Sequence, residues 1–258
     1  IVCVGGDPER IAILDNFCWP GCDDPERMGL LVRAAEGCYD GAKAYRAPFV
    51  SGKDSLNNQF TTEDGRTIRI PPTLLISGMG IVSDVARCVT MDAKSPGNLL
   101  VVLGETTPEM GGSHAVAICP DLVGVRALPE TDLTMGPARA RLVAGLIEQG
   151  LVRSAHDCSE GGLLVAAAEM AMAGDLGLDL DPDAVASGHD PITGAFAETP
   201  SRYLLEITPE AFPAFAEQTG DHPWRHLGSF TETDRLTMGG VSIDLVDLRA
   251  RWRTALDI

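Results

Sequence analysis

Apolar residues come in short, bounded runs along this chain, and their spacing predicts strands and helices in mixed order. The first run, Ile1-Val2-Cys3-Val4, begins already under way, which implies a piece cut from a longer polypeptide. A turn leads to Ile11-Ala12-Ile13-Leu14, read as a buried strand ending at Asp15-Asn16, the position from which side chains reach ligand clefts in α/β folds. Asp24-Pro25-Glu26 supplies an N-cap, a proline at the first helical position and an acidic first turn. Behind it Met28, Leu31, Ala35, Cys38 and Ala42 recur at steps of three and four, giving a helix one apolar face. A strand at Phe49-Val50-Ser51 is expected next, then a polar loop over 51–58. A hairpin-like pair over 67–70 and 73–82 follows, marked by Glu63-Asp64-Gly65 and Pro71-Pro72.

Asp84, Asp92, Ser95, Pro96 and Gly97 interrupt the apolar pattern and divide the chain into expected domains of residues 1–88 and 89–258. Beyond the break, Leu99–Leu103 reads as a short buried strand running into Gly104-Glu105, and Gly111-Gly112-Ser113 as a second flexible loop. Helices are predicted over 137–149, 162–173 and 209–217, the second with Leu163, Ala167, Met170 and Ala171 on one stripe. Strands are predicted at 203–207, 224–230, 235–238 and 241–245. This order argues for an α+β fold: the end of an α/β domain, then a domain with helices packed on a mixed sheet.

At 258 residues and 45% hydrophobic content, the chain is long enough for two cores. A net charge of −17 gives no long-range attraction for nucleic acid or an anionic membrane. The charge is uneven, because residues 1–90 carry 9 basic and 12 acidic side chains and most of the excess acid lies after them. Seven cysteines, an odd number with no Cys-x-x-Cys pair, read as free, buried thiols of a reducing cytoplasm. His222 and His226 have a helical metal spacing, but Pro223 between them and the absence of a completing Cys or carboxylate pattern set zinc aside. No apolar run approaches the length of a membrane span, so a soluble, cytoplasmic protein is expected.

Two polar clusters carry candidate chemistry. Ser51-Gly52-Lys53-Asp54-Ser55-Leu56-Asn57-Asn58 offers backbone N–H groups, a lysine and hydroxyls to one anion, with Gly52 permitting close approach. It is not a Walker A loop, since Ala47 and Asp54 stand where that motif needs a glycine and a Ser or Thr. His156-Asp157-Cys158-Ser159-Glu160-Gly161-Gly162 precedes an apolar helix. Ser159 there is either an N-cap and nothing more, or part of a site in which hydroxyl, carboxylate and helix N-terminus hold a phosphate and its magnesium ion. A triad of Cys158, His156 and Asp157 is set aside, because adjacent side chains diverge. Taken singly, Asp15 also reads as a turn-capping residue and Lys53 as a solvated charge.

The stretches from Gly6 to Trp19, over 51–58, Leu103-Gly104-Glu105-Thr106 with Gly111-Gly112-Ser113, and over 156–163 together resemble, in order and spacing, the formylglycinamide ribonucleotide amidotransferase (FGAM synthase) family. The resemblance spans nearly the whole chain and matches the second of that family's two homologous halves, without its early portion. It implies an aminoimidazole ribonucleotide synthetase-like fold and an ATP- and magnesium-dependent ligase of purine biosynthesis. In that reaction, ammonia from glutamine converts formylglycinamide ribonucleotide to the amidine. It places Asp15 and Gly52 at ATP, Ser55 at the ribonucleotide, and Asp157 and Ser159 at magnesium and nucleotide of an auxiliary site. Lys53 stands where many short-form members have a magnesium-ligating asparagine; an ammonium cannot ligate a metal, so Lys53 is expected to meet phosphate oxygens. The family's catalytic histidine lies in the missing half, so no catalytic residue is expected here and the chain alone should not turn over. The implied partners are a glutaminase subunit or domain and the protein's own N-terminal half. Two other readings stay open: another ATP-dependent superfamily member such as a small-molecule kinase, and a silent nucleotide-binding half with a structural role.

Overall fold

The computed structural model describes residues 1–122 and 125–255, and the chain divides into two compact units. Residue 1 with Gly6–Ser83 forms the first, and Val2–Gly5 with the residues from Asp84 onward forms the second.

In the first unit, β1 (Ile11–Cys18) leads through α1 (Pro25–Tyr45) to β2 (Phe49–Ser55), β3 (Gln59–Thr61), β4 (Thr67–Arg69) and β5 (Thr73–Gly80). β1 is the centre of a three-stranded sheet, parallel to β2 and antiparallel to β5. A parallel pair needs a crossover, and α1 provides it. Its start follows the sequence grammar: Asp24 Oδ1 accepts from the Arg27 N–H at 2.9 Å and Pro25 opens the first turn. None of its residues is fully buried. Leu31, Ala34, Cys38, Ala42 and Tyr45 are half-covered, while Met28 and Ala35 of the expected stripe stand exposed. A 3.6-residue period carries the covered line from Leu31 to Ala34 instead of Ala35.

Three expectations fail here. β1 does not end at Asp15-Asn16 but runs on to Cys18, so both residues sit inside a strand. β2 runs on through Ser55, so residues 51–55 of the expected loop are extended backbone, held by parallel pairing to β1. β2 is an edge strand, where polar side chains meet water at little cost. Finally, the expected hairpin does not form: β4 pairs with β3, and β5 pairs with β1. Pro71-Pro72, with no N–H to donate, separates the two ladders.

The second unit is built on a seven-stranded sheet. Its strands are β6 (Leu99–Leu103), β7 (Ser154–Asp157), β8 (Gly177–Leu180), β9 (Tyr203–Ile207), β10 (Trp224–Thr231), β11 (Arg235–Met238) and β12 (Val241–Asp244). Their order is β12-β11-β8-β10-β6-β9-β7, antiparallel throughout except for β11 beside β8. Its helices are α2 (His114–Ile118), α3 (Met135–Glu148), α4 (Gly162–Gly174), α5 (Pro182–Ala186), α6 (Pro191–Phe196), α7 (Phe212–Thr219) and α8 (Leu245–Thr254). α4 lies on one face, its Leu163, Ala167, Met170 and Ala171 buried with Leu100, Leu178, Leu204 and Phe230 as the stripe predicts. α7 covers the other face through Phe212 and Phe215, whose rings stand 5.4 and 5.7 Å from that of Trp224. Every residue of β9 is buried, the signature of a strand covered on both sides.

The apolar pattern did not predict α2, α5, α6, α8, β7 or β8. A signal existed for α5 and α6, because each starts on an Asp-Pro pair whose aspartate caps the first turn, as at α1. The predicted strand over 241–245 ends at Asp244, and Leu245 opens α8.

Candidate functional site

The first cluster is decided by strand alternation. Asp15 pairs with Gly52 across the β1–β2 ladder and Asn16 with Lys53, and paired residues project to the same face. Asp15 and Gly52 therefore share one face, the side of Cys38 on α1, whose thiol is raised by burial and then by the Asp15 charge. Lys53 and Ser55 share the opposite face with Asn16, and the Lys53 ammonium donates to the Ser55 hydroxyl. The expected single grip, a turn over 52–55 acting together with Asp15, is thus replaced by two half-sites back to back. Gly52 is required for closeness and not for turning: a Cβ there would lie 2.8 Å from the Asp15 Cγ. The backbone beyond is fixed by Trp19, whose N–H donates to the Ser55 carbonyl at 2.7 Å and whose carbonyl accepts from the Asn58 N–H at 2.8 Å. The Trp19 ring is buried, with Nε1 donating to the Arg27 carbonyl at 3.2 Å.

The second cluster is assembled by sheet topology. Leu103, the last residue of β6, and Asp157, the last of β7, both pair with Tyr203, the first of β9. The loops leaving β6 and β7 and the segment entering β9 therefore meet at one end of the sheet. Asp157 and Ser159 are exposed there, and Cys158 between them is buried. Burial pushes the Cys158 thiol up to about 11, which removes it as a nucleophile at neutral pH. His156 lies between two carboxylates, its Nδ1 3.4 Å from Asp157 Oδ1 and its Nε2 2.9 Å from Glu169 Oε2. Hydrogen bonding to Asp157, and then to Glu169, raises the His156 pKa against its burial; the same His156 contact lowers that of Asp157.

Ser159 does not cap α4. The N-cap is Gly161, in the left-handed region with no side-chain bond to the helix, and the Ser159 carbonyl accepts from the Gly162 N–H at 3.0 Å. Gly162 has a φ of +73°, and a Cβ there would lie 2.5 Å from the Ala197 carbonyl oxygen, so only glycine fits. That leaves the Ser159 hydroxyl available to a ligand.

Sequence reasoning missed Glu198 and Arg202. Glu198 Oε1 accepts from the Gly161 N–H at 2.8 Å, the His114 N–H at 2.9 Å and His114 Nδ1 at 3.1 Å. Burial raises the Glu198 pKa, but the two amides and the imidazole outweigh it and the net shift is downward. Arg202 is 1% exposed and donates to Thr106 Oγ1 at 2.9 Å, to the Thr199 carbonyl at 3.1 Å and to the Ala197 carbonyl. A charged residue one position before an apolar strand was the only local sign of it.

Among the described residues no three His, Cys, Asp or Glu side chains gather to hold a metal, His222 and His226 included. Asp157, a single open carboxylate, fits a magnesium ion only if phosphate oxygens complete its shell, the usual mode for that ion. The seven cysteines are free thiols, but the expectation that they are buried holds only for Cys3 and Cys158; four are half-buried and Cys119 is exposed.

This α+β arrangement has known counterparts. The family model for AIR synthase related protein, C-terminal domain, matches residues 95–240, more than half of the chain, and the chain belongs to that family. The phosphoribosylformylglycinamidine synthase subunit PurL of Deinococcus radiodurans is 32% identical over 267 residues, covering 99% of this chain and 35% of the relative. The PurL of Moorella thermoacetica is 36% identical over 211 residues, covering 82% of this chain and 27% of the relative. The chain thus spans about a third of the length of the curated relatives it matches. Thermotoga maritima PurL complexed with FGAR superposes with a TM-score of 0.73 at 19% identity, over 96% of this chain and 40% of that one. E. coli HypE superposes at 0.68 with 15% identity, over 95% and 74%. These likenesses confirm the aminoimidazole ribonucleotide synthetase-like fold that the motifs implied. Among the described residues no helix is long and apolar enough to cross a membrane.

Proposed function

We propose that this chain is the C-terminal part of a phosphoribosylformylglycinamidine synthase. In this reading the complete protein is a cytoplasmic ligase that uses ATP and glutamine-derived ammonia to convert formylglycinamide ribonucleotide to its amidine. The observation that carries the reading is that relatives of that name align at about a third identity along almost the full chain. Residues 1–88 would be the end of the family's N-terminal domain and 89–258 its C-terminal domain. The preceding half and a glutaminase subunit or domain would supply the rest, including the catalytic histidine.

The two faces of the β1–β2 ladder separate the proposed roles. Lys53 and Ser55, bonded to each other, would receive a phosphate on one face, Lys53 as a point charge and Ser55 at the ribonucleotide. Asp15, seated against Gly52, would face ATP on the other. At the sheet end of the second unit, Ser159 would meet nucleotide phosphate and Asp157 the magnesium ion that neutralises it. These groups position reactants and offset phosphate charge; none of them needs to be a nucleophile.

The test is amidine formation from the ribonucleotide, MgATP and ammonium, with the chain supplied together with the preceding two thirds of a PurL relative. The chain alone is expected to give no turnover. In the assembled enzyme, Ser55→Ala should raise the KM for the ribonucleotide about tenfold or more, and Asp15→Ala should lower kcat by about a hundredfold, with folding intact. ADP release stimulated by an alcohol and indifferent to the amide would point to a kinase. Full turnover with both residues replaced would mark the site as structural.

A further inference from the structure

We infer that Glu198 and Arg202 are positioning residues, a clasp that locks the loops after β6 and β7 into one ligand-receiving surface for a magnesium-bound polyphosphate. The inference rests on the proposed function for its ligand, and on geometry alone for the clasp.

Two loops and the segment entering β9 meet at this end of the sheet, and that segment, 197–202, touches both loops. Glu198 joins the two by a single oxygen, since Oε1 accepts from the backbone of Gly161 in the β7–α4 loop and of His114, where the β6–α2 loop enters α2. Thr199 Oγ1 accepts from the Thr107 N–H at 3.1 Å, and Arg202 donates to Thr106 Oγ1 at 2.9 Å, so the stretch just after β6 is tied to the same segment. The Arg202 carbonyl accepts from the Cys158 N–H at 3.0 Å, between Asp157 and Ser159. Each bond crosses between stretches far apart in sequence, and none repairs its own element.

The charges fit the ligand class that the proposed function supplies. The Arg202 guanidinium donates to neutral oxygens of Thr106, Thr199 and Ala197, and among the described residues no carboxylate pairs with this buried cation beneath the loops. Such a charge favours an anion above it. Yet the amides of Gly161 and His114, the natural donors to a bare phosphate, are already occupied by Glu198. An arriving anion is left with the Ser159 hydroxyl and with whatever cation the exposed Asp157 carboxylate holds. A polyphosphate that brings its own magnesium meets both conditions, and a bare phosphate does not.

The test uses the 258-residue chain and two readouts. Glu198→Gln keeps a carbonyl oxygen for the two amides, whereas Glu198→Ala removes it and Glu198→Asp is one methylene too short to reach both. In amide hydrogen exchange, Ala and Asp should speed exchange at Gly161 and His114 together, by about tenfold or more, and Gln by less than about threefold. In calorimetry with MgADP, the same two variants should weaken binding about tenfold and Gln should leave it within about threefold. The Asp variant decides if Ala does not fold. Faster exchange in one loop without the other, equal behaviour of Gln and Ala, or tighter MgADP binding in the Ala variant would each overturn the clasp. If the unaltered chain takes up no MgADP either alone or in the enzyme assembled with the preceding two thirds of a PurL relative, the proposed nucleotide site fails, while hydrogen exchange still decides the clasp.

Discussion

Gly52 and Asp15 lie 37 positions apart in the chain and press together across two paired strands. The contact seats the Asp15 carboxylate over residue 52 and leaves that residue without room for a side chain unless the carboxylate moves. Gly52→Ala should therefore cost about 1–2 kcal/mol through overpacking. Because the clash is with one side chain, most of that cost should vanish in an Asp15→Ala background. A double-mutant cycle by urea unfolding checks this, and an equal penalty in both backgrounds would show that backbone conformation at 52 matters more than the contact. Lys53 is placed differently, on an open face with its ammonium on the Ser55 hydroxyl, so its replacement should alter anion binding more than stability.

Between elements, one buried carboxylate holds together what the sheet alone does not. Glu206 on β9 is fully buried, and its oxygens accept from the N–H groups of Lys94 and Ser95, from Asn98 Nδ2 at 2.6 Å and from Ser154 Oγ at 2.6 Å. It anchors the 94–98 stretch that delivers the chain into β6, and it adds a side-chain bond to the β9–β7 ladder. Glu206→Ala would leave those donors unpaired in a dry interior. It should lower the stability of the second unit by about 3 kcal/mol or more, read from the shift of its urea midpoint. A shift under about 1 kcal/mol would mean that water replaces the carboxylate there. α1 contrasts with this: its ends are well capped and its face only half-covered, so its place is fixed by the crossover it spans.

The two units differ in what each can bury. The second has a sheet covered on both faces and a core of fully buried strand and helix residues. The first has three main strands, and the face carrying Leu14, Leu75 and Met79 leaves them 39%, 58% and 74% exposed. A fragment of residues 84–258 should accordingly unfold in one cooperative transition, while residues 6–83 alone should not, since small sheets need a covered face for independent stability. Calorimetry of the two fragments decides this, and a sharp transition from the first would sink it.

Local order along the chain settled much of this structure. Leu99–Leu103 and Tyr203–Ile207 are strands at the expected residues because unbroken apolar runs of that length have few other ways to be buried. α1 follows from its Asp-Pro cap and α4 from its apolar stripe, signals that act within one or two turns. Contacts between distant residues settled the rest. The polar residues 51–55 became a strand because β1 offered its edge, and that strand's alternation sent Lys53 and Ser55 away from Asp15. Glu198 lies 37 positions from Gly161 and 84 from His114, and no spacing along the chain announces such bonds. Periodicity and capping are short-range forces written in neighbouring letters, whereas the partner of a buried charge is chosen only when the sheet brings the loops together.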